Sequence, residues 1–305
     1  MDNKPFTSER LSKLKEVAVH SPAKLNIFLQ VTGKRDDGYH DLNSLMVPIS
    51  LADEMKFDIT EGSGVTCTVN SDFPYDIPTD DTNLAVKAAR LYLEEIGISK
   101  KISIHIDKKI PVGAGLGGGS SNGATTLCVL NDALGGGYEG RLSKEGVLEL
   151  AAELGSDVPF FIDCHASIAT GRGEKLDATD FPETNFILIN PMVTVSTADV
   201  YSSLDLTKTR ENNILTYSST DSNSLNYIVN LLSNDLEMAV LDSYPIIGDL
   251  KEALINEGAL GSLMSGSGST VFGVFSGRED AARAYMSLKD KYKDFFICHA
   301  VSIGQ

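Results

Sequence analysis

The stretch PVGAGLGGGSSNGATTL, residues 111–127, decides the fold, because five glycines crowd positions 113 to 119 just ahead of a helix-compatible run. Glycine loses more conformational freedom on folding than any other residue, so such a cluster weakens a chain unless unusual dihedrals or a close backbone approach require it. Upstream, KISIHIDKKI alternates Ile102, Ile104 and Ile106 with polar residues, the pattern of a strand with one solvated face. Downstream, Ser120 and Ser121 stand where a helix N-cap belongs. Strand, glycine loop and capped helix together predict an anion site, where free N–H groups and the positive end of the helix dipole converge. A phosphate fits that point.

Known phosphate-binding designs narrow the reading. A P-loop needs Lys directly after its glycines, and none follows here. Residues 113–118 satisfy G-x-G-x-x-G, and Asp132 lies near the acidic position of a dinucleotide fold. A dinucleotide-binding strand is buried on both faces and continuously apolar, whereas KISIHI alternates, and Asp132 falls in or just after the helix. A protein-kinase glycine flap would be followed by H-R-D and D-F-G, which the chain lacks. The bland alternative, a flexible linker or close-packed turn, does not account for five glycines set between a strand and a helix.

Working outward, the chain has 305 residues, 42% of them hydrophobic, enough for a large core and for two domains. The net charge of -16 argues against nucleic acid as a partner, because phosphates would be repelled at long range. Any phosphate ligand must be held locally. Cys67, Cys128, Cys164 and Cys298 are scattered without a C-x-x-C pair, which predicts reduced thiols buried as small hydrophobes. No apolar run nears the roughly 20 residues that cross a bilayer. The opening MDNKPFTSERLSKLKEV has no apolar core for export, so a cytoplasmic location is expected, away from membranes.

VAVHSPAKLNIFLQVTG reads as two strands joined at Ser21-Pro22, residues 34–41 as a polar loop, and 42–60 and 64–70 as further strands. A helix through Leu84, Ala88 and Leu91 is expected to be capped by Asp81 or Thr82. SKEGVLELAAELG reads as another helix, followed by the turn SDVP. From about residue 185 a strand NFILINP, a polar stretch 207–224 read as a mobile loop, and a helix with Leu225, Ile228, Val229 and Leu232 on one face are predicted. Helix, glycine turn with strand, helix and strand complete the chain, and the domain boundary is placed near 175–185.

Four further segments carry possible chemistry. Asp157, in SDVPFF, is a turn or N-cap acid by type, yet its apolar neighbours would also suit a partly desolvated base. Lys24, in AKLNIFL, is a snorkelling strand lysine or a lone functional cation, and Asn26 shares its strand face. Tyr39 and His40 lie in the polar loop as a surface pair, and residues 266–270 can be a bare hairpin turn.

The quoted stretch resembles the second motif of the GHMP small-molecule kinases. SPAKLNIFLQVTGKRDDGYHDLNSL is similar to the first motif of one branch, GSDVPFF to the catalytic segment, LMSGSGSTVFGVF to the third motif, and NDLE at 234–237 also matches. The likeness covers nearly the whole chain except residues 1–16 and the stretch near 207–224. Gly123 departs from the more common alanine.

The resemblance implies an α+β, two-domain GHMP kinase fold. Its N-terminal domain, 1–180, would be like domain 2 of ribosomal protein S5, and its C-terminal domain, 181–305, ferredoxin-like. It implies ATP-dependent phosphorylation of a hydroxyl on a small-molecule cytidyl diphosphate substrate, with Mg²⁺ on the nucleotide and a monomer or weak homodimer as the assembly. Alternatives are another GHMP kinase, of homoserine or mevalonate type, or a nucleotide-binding regulator of the same fold. The triphosphate would be wrapped by Pro111, Val112, Gly113, Ala114, Gly115, Leu116, Gly117, Gly118, Gly119, Ser120 and Ser121, with Gly266, Ser267 and Gly268 of the third motif lining the same site. Ser120 or Ser121 would contact magnesium. Asp157 would be the base, paired with Lys24, and Asn26 would orient the hydroxyl. Tyr39 would stack on the cytosine, His40 would hydrogen-bond its polar edge, and Tyr201 would supply a second aromatic face.

Overall fold

A computed structural model describes residues 16–134, 141–204, 214–219 and 224–304. They fall into two compact units of interleaved segments: unit 1 holds residues up to 22, 52–109 and 118–163, and unit 2 holds 23–51, 110–117 and 164 onward. Two long strands, β1 (Glu16–Lys34) and β2 (His40–Thr60), contribute residues to both. β1 is continuous through Ser21 and Pro22, where the sequence suggested two strands, because the fixed φ of proline is compatible with extended backbone.

In unit 1, β4 (Lys101–Lys108) pairs antiparallel with the far end of β2 and parallel with β3 (Gly64–Ser71). As expected, Ile102, Ile104 and Ile106 are buried and the residues between them are wetter. Helix α1 (Leu84–Glu95) is capped by Asn83, whose side chain accepts the Ala85 N–H at 2.9 Å, rather than by Asp81 or Thr82. Asp80 instead accepts from the Thr82 hydroxyl, at 2.7 Å. Helix α2 (Gly118–Leu134) contains Asp132, contrary to a dinucleotide fold. Helix α3 (Lys144–Leu154) is capped by Ser143, and the single turn α4 (Phe160–Asp163) follows the SDVP turn.

α2 packs on α1, and Gly123 lies at that contact. A Cβ built there would meet the Leu84 Cβ at 3.4 Å, an ordinary van der Waals distance. Gly123→Ala is therefore expected to stabilise the protein by about 0.5–1 kcal/mol through the helix and the unfolded chain. The check is a higher denaturant midpoint at unchanged slope.

Unit 2 contains the start of β2, paired with β5 (Ser167–Gly171), which forms a hairpin with β6 (Lys175–Ala178). Its other sheet has the order β11-β7-β10-β9, with β7 (Asn185–Asn190), β9 (Gly261–Met264), β10 (Val271–Phe275) and β11 (Phe296–Val301) all antiparallel to their neighbours. Helices α8 (Ile246–Asn256) and α9 (Arg278–Lys291) connect β7 to β9 and β10 to β11, a split βαβ arrangement of ferredoxin-like type. Alternation along β7 splits the core: Phe186 and Leu188 join one cluster, Ile187 and Ile189 the other.

Shorter helices α5 (Thr197–Ser203), α6 (Leu225–Leu231) and α7 (Glu237–Leu241), and the two-residue β8 (Ser233–Asn234) beside β1, complete the unit. The stretch 207–224 lies largely outside the described residues. Among the described residues no helix is long and apolar enough to cross a membrane. None of the four cysteines, all among the described residues, is in a disulfide; Cys67 is buried by residue exposure, and the other three are half-buried. Burial still pushes the Cys128 thiol up to about 12, so it is no nucleophile at neutral pH.

Candidate active site

The glycine loop alternates two backbone conformations. Gly113, Gly115 and Gly117 have φ of 62°, 74° and 71°, and no positive φ occurs at Ala114 or Leu116 between them. Alternation in the sign of φ is a feature of anion nests, in which successive N–H groups face one side. Ala114 and Leu116 are buried and hold the loop inward. The helix begins at Gly118, so Ser120 and Ser121 occupy its first turn and are not the N-cap. The left-handed Gly117 precedes the helix instead. Ser121 is fully buried and accepts a hydrogen bond from the Ser21 hydroxyl at 2.8 Å, whereas Ser120 is half-buried.

Within unit 2 the loop is fixed by two distant segments. On one side, the Lys24 N–H donates to Leu116 O at 3.0 Å. On the other, the Ser265 hydroxyl donates to Gly115 O at 3.0 Å and the Thr270 N–H to Ala114 O at 3.3 Å. A Cβ on Gly115 would lie 1.9 Å from Ser265 O, so only glycine permits this approach. Gly266 (φ 56°) is similarly placed: its Cβ would lie 3.3 Å from Lys24 Nζ and 3.4 Å from Asn26 Oδ1. Residues 265–270 are thus more than a bare turn, since they abut the loop and the lysine.

Lys24 is 4% exposed, which excludes the snorkelling reading. Its ammonium donates to Asn26 Oδ1 at 2.5 Å. The Asn26 amide in turn donates to Ser44 Oγ at 2.8 Å, and Ser44 donates to Phe28 O at 2.6 Å, so the carbonyl end of Asn26 is held toward the lysine.

Two residues that sequence reasoning did not single out belong to this frame. Asn234, buried, donates its two amide hydrogens to Met264 O and Gly266 O, both at 2.8 Å, and accepts the Leu236 N–H at 3.0 Å. Glu237 accepts the Met264 N–H at 2.8 Å. The matched NDLE run was the available signal: its Asn234 and Glu237 brace the third glycine motif, while Asp235 accepts the Val31 N–H of β1 at 2.8 Å.

A second group forms around the loop that joins β1 to β2. His40 stacks on Tyr201 with centroids 5.2 Å apart and an interplanar angle of 27°. Burial, with a smaller push from Lys34, lowers the His40 pKa below its ordinary value. The imidazole is therefore neutral at pH 7 and offers one donor and one acceptor. Tyr39 is 55% exposed, and the Arg172 guanidinium lies 5.1 Å from its ring centroid. Arg172, at the β5–β6 turn, is the other residue missed. Thr197, at the start of the helix that carries Tyr201, shares a 2.8 Å hydrogen bond with Ser267, which ties this group to the third motif.

Asp157, in unit 1, sits in the turn between α3 and α4. It is half-buried and flanked by Val158 at 0% and Phe160 at 1% exposure, the mixed environment expected of it. The structure thus gathers Lys24, Asn26, residues 113–117 and residues 266–268 in one unit, and Tyr39, His40 and Tyr201 in a linked group there. Asp157, Ser120 and Ser121 belong to the other unit.

A loop whose φ alternates in sign, a buried ammonium held by an amide oxygen, and a stacked aromatic pair thus lie in unit 2. The description GHMP kinases N terminal domain matches residues 83–164, and GHMP kinases C terminal matches residues 219–294. The chain belongs to the GHMP kinase family, and it is a phosphotransferase with that family's fold. Among its relatives is a 4-diphosphocytidyl-2-C-methyl-D-erythritol kinase of Syntrophotalea carbinolica, 44% identical over 274 residues that cover 89% of this chain and 94% of the relative. A crystal structure of 4-(cytidine 5'-diphospho)-2C-methyl-D-erythritol kinase superposes with a TM-score of 0.75 at 32% identity, covering 94% of this chain and 100% of that one. Homoserine kinase from Cytophaga hutchinsonii shares the fold, with a TM-score of 0.71 at 22% identity over 99% of this chain and 98% of that one.

Proposed function

We propose that the protein transfers the γ-phosphoryl group of ATP to the 2-hydroxyl of 4-diphosphocytidyl-2-C-methyl-D-erythritol, giving the 2-phosphate and ADP, in non-mevalonate isoprenoid precursor biosynthesis. The observation that carries this reading is the 44% identity to a kinase of that name across 89% of the chain. The run TGKRDDGYH, with a neutral histidine stacked on Tyr201, supports it, because a cytosine needs an aromatic face and a donor–acceptor edge. Tyr39 offers a further ring to the base.

In the proposed reaction Asp157 accepts the proton of the attacking hydroxyl, the new O–P bond forms, and the bond from the γ-phosphorus to the bridging oxygen of ADP breaks. Asn26 orients the hydroxyl and Lys24 neutralises charge on the transferring group. The nest at 113–117 holds the phosphates through main-chain amides, and Gly266, Ser267 and Gly268 close the same site. Among the described residues no group of three His, Cys, Asp or Glu could hold a metal. A cation here would take its ligands from phosphate oxygens, water and one hydroxyl, a set that suits Mg²⁺. Ser120 is the better candidate for that hydroxyl, since the Ser121 oxygen already serves Ser21. Bound Mg²⁺ would neutralise phosphate charge. The proposed division into domains 1–180 and 181–305 has the support that the two family matches end at 164 and begin at 219.

The test offers purified protein and MgATP the cytidyl substrate, homoserine and mevalonate in parallel. The cytidyl alcohol is expected to be phosphorylated with kcat/KM at least about 10⁴-fold above the others, the discrimination reached when polar groups built for a ligand are left unpaired. Preferential phosphorylation of homoserine or mevalonate contradicts the reading, and nucleotide binding without transfer to any of the three favours a regulator.

A further inference from the structure

Unit 1 buries an ion pair that phosphoryl transfer does not require. Along the far end of β2, from residue 50 onward, the buried positions are Leu51, Asp53, Met55 and Phe57, and along β4 they are Ile102, Ile104, Ile106 and Lys108. An acid and a base thus occupy apolar positions of two alternating strands, and the register that pairs Glu54 with Asp107 sets them opposite each other. Asp53 is 0% exposed and accepts from the Lys108 ammonium. Burying two charges costs several kcal/mol before their attraction is counted, so the pair is weak evidence for stability alone.

The other bonds of this carboxylate suggest what it does. Its Oδ1 accepts the Lys109 N–H at 2.8 Å, and its Oδ2 accepts an amide hydrogen of Asn122 at 3.0 Å. Lys109 precedes the glycine loop and Asn122 follows it. The second Asn122 hydrogen goes to Ser21 Oγ at 2.9 Å, and Ser21 donates to Ser121 Oγ at 2.8 Å. The side chains of Asp53, Asn122, Ser21 and Ser121 are all buried, and Lys109 takes part through its main chain alone. One carboxylate therefore grips both ends of the glycine-rich loop, and a relay from it reaches the first turn of the helix that the loop enters.

We propose that Asp53 is a positioning residue that clamps the neck of the glycine loop through Lys109 and Asn122, so that the loop is ordered before nucleotide arrives. This rests on the phosphotransfer reading above. Ordering five glycines costs entropy, and a clamp supplied by the fold moves that cost from ATP binding to folding.

The experiment uses Asn122→Leu, close in volume, which cuts the helix side of the clamp and leaves the Asp53–Lys108 pair and the Lys109 bond in place. Expected are a rise of about tenfold in KM for ATP, the worth of one hydrogen bond to a charged group, and a KM for the cytidyl substrate within about twofold of wild type. Faster amide exchange over residues 110–121 in ligand-free protein is expected with it. Ser21→Ala, which deletes one oxygen at the far end of the relay, should move the same constant and the same amides less, and it serves if Asn122→Leu does not fold. Lower thermal stability with unchanged KM for ATP and unchanged exchange overturns the proposal, as does an equal rise in both KM values. Should wild type phosphorylate none of the acceptors, the function reading fails, and exchange over 110–121 still decides the clamp.

Discussion

Asp157→Asn is expected to lower kcat by about 10²–10⁴-fold, the usual contribution of a positioned general base. Asparagine keeps the shape of the side chain and serves equally well in a turn, so the SDVP segment should hold its conformation. Thermal stability and KM for ATP are therefore expected to stay near wild type while turnover collapses. This split separates the proposed proton acceptor from the turn-forming role that the residue type alone suggests. Stopped-flow or discontinuous assay of phosphoryl transfer reads it directly, and more than about a tenth of wild-type kcat would return Asp157 to a purely structural role.

The second large effect is expected at Gly115→Ala. The new Cβ would lie 1.9 Å from Ser265 O and 2.9 Å from Ser265 C, both backbone atoms that cannot rotate away. The residue must also keep φ at 74°, which costs an L-residue about 1–2 kcal/mol. Overpacking adds about 1–3 kcal/mol. If half of that sum falls on the nest, KM for ATP rises by roughly 5–70-fold. Gly258→Ala is the control: φ is 95° but no atom lies within 4 Å of the built Cβ. It should show the strain as lost stability and leave KM for ATP unchanged. Equal kinetic effects from the two variants would mean that close approach at Gly115 does not shape the site.

Much of this architecture was legible in the sequence because its signals are local. KISIHI alternates with period two, and β4 buries the expected isoleucines. The glycine cluster demanded unusual dihedrals, and three of its members have them. Serines in a first turn and serines at a cap look alike in sequence, so Ser120 and Ser121 read as caps although the helix already starts at Gly118. The β5–β6 hairpin, β8 and β9 went unread because such short strands are defined by their partners more than by their own residues.

The supporting residues of the site were less legible for the same reason. Asn234 acquires meaning from Gly266, Arg172 from Tyr39 and Asp53 from Asn122, each far away along the chain. A local trace existed for one of them. A charged residue at the apolar position of an alternating strand, as at Asp53 and Lys108, signals a buried partner.

The central claim is that Lys24 and Asp157 act together on one phosphoryl transfer, and a double-mutant cycle in kcat tests it most directly. Lys24→Met, Asp157→Asn and the double variant are compared with wild type. Groups acting as a unit lose their effect together, so the double variant is predicted to be within about threefold of the slower single one. Losses that multiply, or a Lys24→Met variant with wild-type kcat, would contradict the account.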